Sequence, residues 1–391
     1  GLRMRRVLKW GLRVVLALAI AAVVAGIWKR DQVKQLLAVN SLFSAEKIVN
    51  NFSYMDTLFT TVPVPRGNDA VVPLPIGAPA TMPDGVAQWI VDRDVTALVV
   101  LKDGTLVHED YFLGTTPEDL RVSWSVAKSF LSALMGIVLE DGDIKSIDDQ
   151  VTDYVPMLIG SAYDGATIKD VLQMSSGVVF NEDYLDFNSD INKMGRVLAL
   201  GGSMDTFAAS LDERFVEPGT VWQYVSIDTH VVGMVIRGAT GRTIPELLTE
   251  KIFSKMGFEA DPYYVSDGYG VAFVLGGLNL RARDYARFGQ MIANGGAWNG
   301  QQIVPRAWLA ASTKPSANTA TGKPAYGYQW WIHQGASAGE FNAQGVYGQY
   351  IFIDTARDVV IAVNSADKLF KEEGASDQNF EMMRTIAKSL D

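Results

Sequence analysis

Apolar and polar positions fall into three patterns along the chain. The first is an uncharged run over residues 14–28 (VVLALAIAAVVAGIW), preceded by Arg3, Arg5, Arg6 and Lys9. At ~1.5 Å per residue it covers roughly 22 Å as a helix, short of a ~30 Å hydrocarbon core. Counted back to Trp10, with Arg13 snorkelling to the headgroups, it reaches about 19 residues and is long enough to span. Trp10 and Trp28 sit where interfacial aromatics belong, so the run predicts an N-terminal transmembrane helix. The basic residues before it predict a cytoplasmic N-terminal side and an exported remainder, an asymmetry that Lys29, Arg30 and Lys34 reduce. The alternative is a cleaved signal peptide, with Ala22 and Ala25 as small cleavage-site residues, which exports the remainder equally.

Residues 31–49 carry a helical amphipathic stripe. A proline-rich stretch, 63–83, then reads as a linker or an extended wrap over a domain surface. Beyond it, residues 97–101 and 106–112 are strand-like. Asp103-Gly104 between them predicts a two-residue hairpin turn, in which both central positions need positive φ. Helical periodicity starts in SWSVAKSFLSALMGIVLEDG and should stop at Gly142. Residues 147–303 read as helical pieces and loops. Strand patterning returns at 327–332, 350–354 and 359–363, and a helix over 376–390 closes the chain.

Strands first and last, with helices between, predict an α+β fold: an antiparallel sheet flanked by helices, with an all-helical second lobe and a site in the cleft between them. The expected organisation is an anchor over 1–30, an amphipathic helix and linker over 31–85, and one domain over 86–391. Composition agrees with a large packed core, since 48% of the 391 residues are apolar and 20% charged. A net charge of −10 disfavours a nucleic-acid partner. The absence of cysteine removes disulfides, thiolate catalysis and cysteine-bound zinc.

Ser125-Val126-Ala127-Lys128 places a hydroxyl and an amine three residues apart at a helix start, on one face. A serine is a weak nucleophile until a base takes its proton. Lysine can be that base only where burial lowers its pKa, and Trp124 and Phe130 offer apolar surroundings. The helix start also supplies N–H groups for an oxyanion. By itself an S-x-x-K tetrad is common by chance, and its bland alternative is a helix with surface Ser and Lys. Further on, Pro218-Gly219-Thr220 leads into Gln223-Tyr224-Val225-Ser226. Tyr224 could carry a proton from Ser125 to a leaving group, and Ser226, at strand-like spacing, could bond Lys128 or a substrate carbonyl. Residues 344–349 (QGVYGQ) are expected to open a strand. Gly345 there would let a substrate lie against the edge, and the Val346 N–H would be the second oxyanion donor.

On these boxes the chain resembles the serine β-lactamase/penicillin-binding-protein-like hydrolases, in the branch of class C-like esterases and 6-aminohexanoate-dimer hydrolases. The resemblance runs over about residues 97–387 and includes the S-V-A-K box, the segment 170–177 (DVLQMSSG) and the P-G-T…Y-V-S box with Asp228-Thr229. It continues through Gly276-Gly277-Leu278, residues 286–289 (ARFG), Trp298-Asn299-Gly300, Ile303-Val304-Pro305 and residues 327–331 (GYQWW). It implies a β-lactamase/transpeptidase-like fold and acylation then hydrolysis at Ser125. Lys128 would be the activating base and Tyr224 the general acid/base, with no metal or other cofactor. Relatives acting on β-lactams or peptidoglycan carry Lys-Thr-Gly or His-x-Gly on the last site strand, where this chain has Ala343-Gln344-Gly345, so the resemblance favours other amides or esters. A loop tyrosine closing over the substrate in amide-cleaving relatives corresponds to Tyr184.

Three alternatives accompany an exported amidase or esterase with a small-molecule substrate. They are a catalytically idle, membrane-tethered accessory subunit with a membrane-protein partner, a low-efficiency β-lactamase, and a DD-peptidase. His108, His230 and His333 lack the spacing of a metal site, and no G-x-S-x-G elbow supports a histidine triad. Asn51-Phe52-Ser53 matches a glycosylation sequon of a kind common by chance. Trp298, Trp330 and Trp331 read as core and cleft-wall residues.

Overall fold

In the computed structural model, which describes residues 2–391, the apolar N-terminal run lies within one helix, α1 (Leu2–Trp28). None of its side chains is buried. Its 27 residues reach about 40 Å at ~1.5 Å each. Among the described residues it is the one helix long and apolar enough to cross a membrane.

After Lys29 the chain continues as α2 (Arg30–Ser41), which stops well before residue 49, where the amphipathic stripe ends. Burial explains the early stop. Leu42, Ile48 and Phe52 enter the domain core, and the Asn51 amide donates to the Leu42 carbonyl at 3.1 Å, pinning the turn. Residues 63–83 form the wrap and not a free linker. Gly77 N–H donates to Leu106 O at 2.9 Å, Leu106 N–H to Pro75 O at 2.7 Å, and Val64 N–H to Pro262 O at 2.9 Å. Met55, Val64 and Leu74 are buried in the same core as the helical lobe.

The hairpin β1 (Val95–Lys102) and β2 (Thr105–Tyr111) turns through Asp103 (φ 52°) and Gly104 (φ 76°), both left-handed as the dipeptide predicts. Helix α3 (Ala127–Asp141) stops at Gly142 with φ 89°. The lobe holds α4 (Asp190–Ala199) and α5 (Ile227–Thr240), and α6 (Ala282–Ala293) returns to the sheet. Strands β3 (Ala325–Tyr326), β4 (Trp331–Ile332), β5 (Glu340–Gly345), β6 (Gln349–Asp354) and β7 (Val359–Ser365) follow. Helix α7 (Ala375–Ser389) ends the fold. The sheet order is β2-β1-β7-β6-β5-β4-β3, and every neighbouring pair is antiparallel.

Alternation along β1 sets the two layers. Leu98 and Val100, with Phe352 and Ile361, pack on Phe380, Met383 and Ile386 of α7. Ala97, Val99 and Leu101, with Ile351 and Val360, belong to the opposite core with Phe130 of α3 and Phe288 of α6. With both faces covered, β1, β6 and β7 are almost wholly buried, and each buried Val, Leu or Ile contributes roughly 1.5–3 kcal/mol.

Two expectations need correction. Residues 327–332 are not one strand, because residues 327–330 turn between β3 and β4 and pair Trp331 with Tyr326. Gln329 forces this turn through its left-handed backbone (φ 66°), while its buried amide donates to Leu172 O at 2.8 Å. Residues 344–349 likewise do more than open one strand. They end β5, reverse at Tyr347 (φ 63°) and Gly348 (φ 90°), and start β6. A small second sheet, which the sequence pattern does not reveal, joins Thr61–Pro63, Tyr263–Val265, Leu278–Leu280 and Arg121–Val122. Its strands of two or three residues are too short to display periodicity.

Candidate active site

The short strand Arg121–Val122 delivers the chain to Ser125. Val122 N–H donates to Phe52 O at 2.9 Å and Ser123 N–H to Leu278 O at 2.7 Å, which fixes the approach. Trp124 then takes φ 41°, a left-handed conformation that costs a bulky residue about 1–3 kcal/mol. Its ring is held among Phe43, Phe52 and Tyr347. That packing offsets the strain, and the kink sets Ser125 at the entrance to α3.

Lys128 lies in the first turn of α3, 2% exposed. Its Nζ is 2.8 Å from Ser125 Oγ and donates to Leu275 O, also at 2.8 Å. Burial lowers its pKa from 10.5 to about 7, against the opposing pull of the Glu182 carboxylate. The amine is therefore available in its neutral form near neutrality.

Tyr224 reaches the pair from the lobe. Gly219 makes the turn before it at φ 82°, and a Cβ there would stand 2.8 Å from Asp170 Oδ1. Gln223 N–H then bonds Met174 O at 2.8 Å. The Tyr224 ring centroid is 5.2 Å from Lys128 Nζ and 5.3 Å from that of Trp331. Burial, with the Glu182 charge, raises its pKa, and hydrogen bonding with the Ser125 and Ser226 hydroxyls acts the other way. It is a neutral phenol.

Ser226 stands at the N-terminal end of α5 in helical, not strand, backbone geometry. Its hydroxyl donates to Glu182 Oε2 at 3.1 Å and its N–H to Glu182 Oε1. Tyr184 donates to Glu182 Oε2 at 2.6 Å, and its ring packs edge-on against Phe370. Glu182 thus joins Tyr184 to Ser226 beside the Ser–Lys pair, and burial raises its pKa. Sequence reasoning missed this residue. The only sign of it was its position two residues before Tyr184, and a loop carboxylate is ordinarily solvated.

Gly345 lies where β5 meets the Ser125 segment. A Cβ there would stand 2.8 Å from Ser123 O and 2.9 Å from Ser125 N, so its bare backbone lets β5 abut the Ser125 segment. The next N–H, that of Val346, takes part in none of the loop's backbone hydrogen bonds among the described residues. Gln344 carries no charge, and its Oε1 meets Asn342 Nδ2 at 3.0 Å and His333 Nε2 at 3.1 Å. Burial lowers the His333 pKa to about 4, so this edge presents no cation.

The other histidines lie elsewhere. His230 is buried on Asp205 at 2.7 Å, and Asp205 also binds Arg237. His108 is a β2 residue paired with Val100. Trp330 is fully buried, and Trp331 forms a wall with Trp222 and Tyr326 on the Tyr224 side. A cavity of about 360 Å³ opens at Ser125, with Trp124, Tyr184, Ser226 and Val346 among its lining residues.

The family model described as Beta-lactamase matches residues 86–380. A 6-aminohexanoate-dimer hydrolase of Paenarthrobacter ureafaciens is 29% identical over 327 residues, covering 79% of this chain and 83% of that protein. Among solved structures, a Bacillus anthracis protein provisionally named 6-aminohexanoate-dimer hydrolase aligns with TM-score 0.81 and 24% identity, over 89% of this chain and 96% of that one. A class C β-lactamase aligns with TM-score 0.61 and 16% identity, over 79% of this chain and 95% of its own.

Proposed function

Because this chain belongs to the β-lactamase family of hydrolases, we propose that it is an exported, membrane-anchored serine hydrolase that cleaves an amide or ester through an acyl-enzyme on Ser125. The observation that carries this is the 2.8 Å contact between the Ser125 hydroxyl and the buried Lys128 amine. The neutral amine takes the Ser125 proton as Oγ attacks the substrate carbonyl carbon. The carbonyl π pair moves to oxygen, and the N–H groups of Ser125 and Val346 stabilise that oxyanion. Tyr224 enters as a phenol and not as a phenolate. It gives its proton to the departing amine or alcohol and recovers one from Lys128, which regenerates the neutral amine. A water then attacks the ester carbonyl of the acyl-enzyme, losing its proton to the same base and releasing the acid with Ser125 reprotonated.

Family membership supports hydrolysis in general, and the substrate preference is argued from the cleft. The edge formed by Gln344 and neutral His333 has no cation to pair with the carboxylate of a β-lactam or a D-Ala-D-Ala peptide. Turnover of nitrocefin should therefore be poor beside that of simple esters. Ser125→Ala is the primary test. Hydrolysis of p-nitrophenyl acetate should disappear while the melting temperature holds within about 2 °C, as removing one hydroxyl costs ~1 kcal/mol or less. Undiminished hydrolysis by a folded Ser125→Ala protein would overturn the assignment.

A further inference from the structure

We propose that the natural substrate is an amphiphile with an uncharged, extended acyl chain, and that the cavity between α2 and α4 is the pocket for that chain. This rests on acyl transfer at Ser125 and adds the substrate class. Four observations carry it.

Ser125 and Val346 line the cavity, so the reacting carbonyl would sit in its wall. Tyr224, which must face the leaving group, does not line it and stands beside Trp331. The cavity therefore receives the acyl half of the substrate.

The wall is apolar, with Val39 of α2 and Phe43 just beyond it facing Met194 and Leu198 of α4. Arg196 is the only charged side chain lining it among the described residues, and its guanidinium is engaged by the Phe187 carbonyl at 2.9 Å and by the Phe187 ring. A cation at the far end of the acyl chain would lose its water without gaining a partner, and an anion would have to compete with Phe187 for Arg196.

The rim is apolar as well. Leu185 and Phe187 both line the cavity and are 70% and 65% exposed, on the loop that carries Tyr184. Large exposed apolar residues at the mouth of an apolar cavity suit a chain that enters from a non-aqueous phase.

The same helix that forms one wall continues from α1 across a single residue, Lys29. Val39 follows Trp28 by only about 16 Å of helix at ~1.5 Å per residue. A bilayer holding α1 would thus place acyl chains within reach of the rim.

Gly195 supplies the test. It lines the cavity from α4, and a Cβ added there meets nothing within 4 Å, so a larger side chain would grow into the pocket without displacing the helix. The experiment compares kcat/KM for p-nitrophenyl acetate, butyrate, hexanoate and octanoate, using the full chain in phosphatidylcholine nanodiscs free of detergent. The native protein should gain about fourfold per added methylene, the equivalent of ~0.8 kcal/mol for each buried CH2. It should also prefer hexanoate to 6-aminohexanoate by at least about thirtyfold, the equivalent of a ~2 kcal/mol penalty for an unpaired polar end. Gly195→Leu should lower the octanoate-to-acetate ratio about tenfold or more, and the milder Gly195→Ala should lower it less.

A flat or falling chain-length series, or a preference for 6-aminohexanoate, in a protein that hydrolyses acetate overturns the acyl-chain assignment and leaves the Ser125 hydrolase standing. An unchanged ratio in Gly195→Leu also overturns the pocket. Failure with every ester, together with no adduct on Ser125 from either ethyl or dodecyl fluorophosphonate, removes the hydrolase assignment and the acyl-chain assignment with it.

Discussion

Burial decides what Lys128 can do. Its Nζ meets one hydroxyl and one carbonyl and no carboxylate directly, so desolvation prevails and the pKa falls to about 7. Activity that needs the neutral amine should rise with pH through about 7 and level off above it. The Glu182 charge holds that pKa up, so Glu182→Gln should move the acidic limb of the kcat/KM profile to lower pH. A limb that stays put or moves upward would show that Lys128 is not the titrating base. The same shift carries a stability consequence. Between about 7 and 10.5 the unfolded chain binds a proton at Lys128 that the folded chain does not, so this group's contribution to stability rises with pH across that window. Denaturant midpoints over this range, compared with those of Lys128→Met, would isolate the effect. At this scale the sequence was legible where spacing and chemistry coincide, as at Ser125 and Lys128. Glu182 was not, because its importance comes from a distant contact with Ser226 that no local pattern encodes.

Among the elements, β5 and the entrance to α3 are the pair on which the site depends. Gly345 is the only residue type that fits where a Cβ would lie under 3 Å from both Ser123 O and Ser125 N. Gly345→Ala should push the strand away from Ser125 and move the Val346 N–H with it. The loss of one oxyanion donor costs ~10²–10³ in rate, so kcat should fall by about that much. KM and the far-ultraviolet circular dichroism should change little, and normal kcat in this variant would remove Val346 from the oxyanion site. Long elements were readable from periodicity, and α3, β6, β7 and α7 all lie close to their predicted bounds. The errors at 327–332 and 344–349 have one cause. Gln329 and Tyr347 adopt left-handed backbone that their side-chain types do not advertise, so a tight turn reads as continuing strand. The early end of α2 is a tertiary effect, because Leu42 and Phe52 are worth more inside the core than on a longer helix.

On the scale of the whole molecule, α1 stands apart from the rest of the fold, with every described side chain exposed, whereas residues 42–74 contribute buried side chains to the core. We propose that α1 is the membrane anchor. The full chain should co-float with phosphatidylcholine liposomes, and removal of residues 1–29 should abolish flotation while shifting the melting temperature by less than about 2 °C. A truncated protein that still floats would place the membrane contact elsewhere. The layered α+β architecture was legible from the order of strands and helices alone. The cleft's apolar character was not, since its wall brings α2 against α4 and the Tyr184 loop that precedes α4, which lie far from α2 in sequence. The central claim is that Ser125 is the acyl-forming nucleophile, and peptide-mapped mass spectrometry after reaction with an alkyl fluorophosphonate tests it most directly. A single adduct on the peptide containing Ser125, absent from Ser125→Ala and formed at least about a hundredfold more slowly in Lys128→Ala, is the predicted result. No adduct, or one on any other residue, would contradict it.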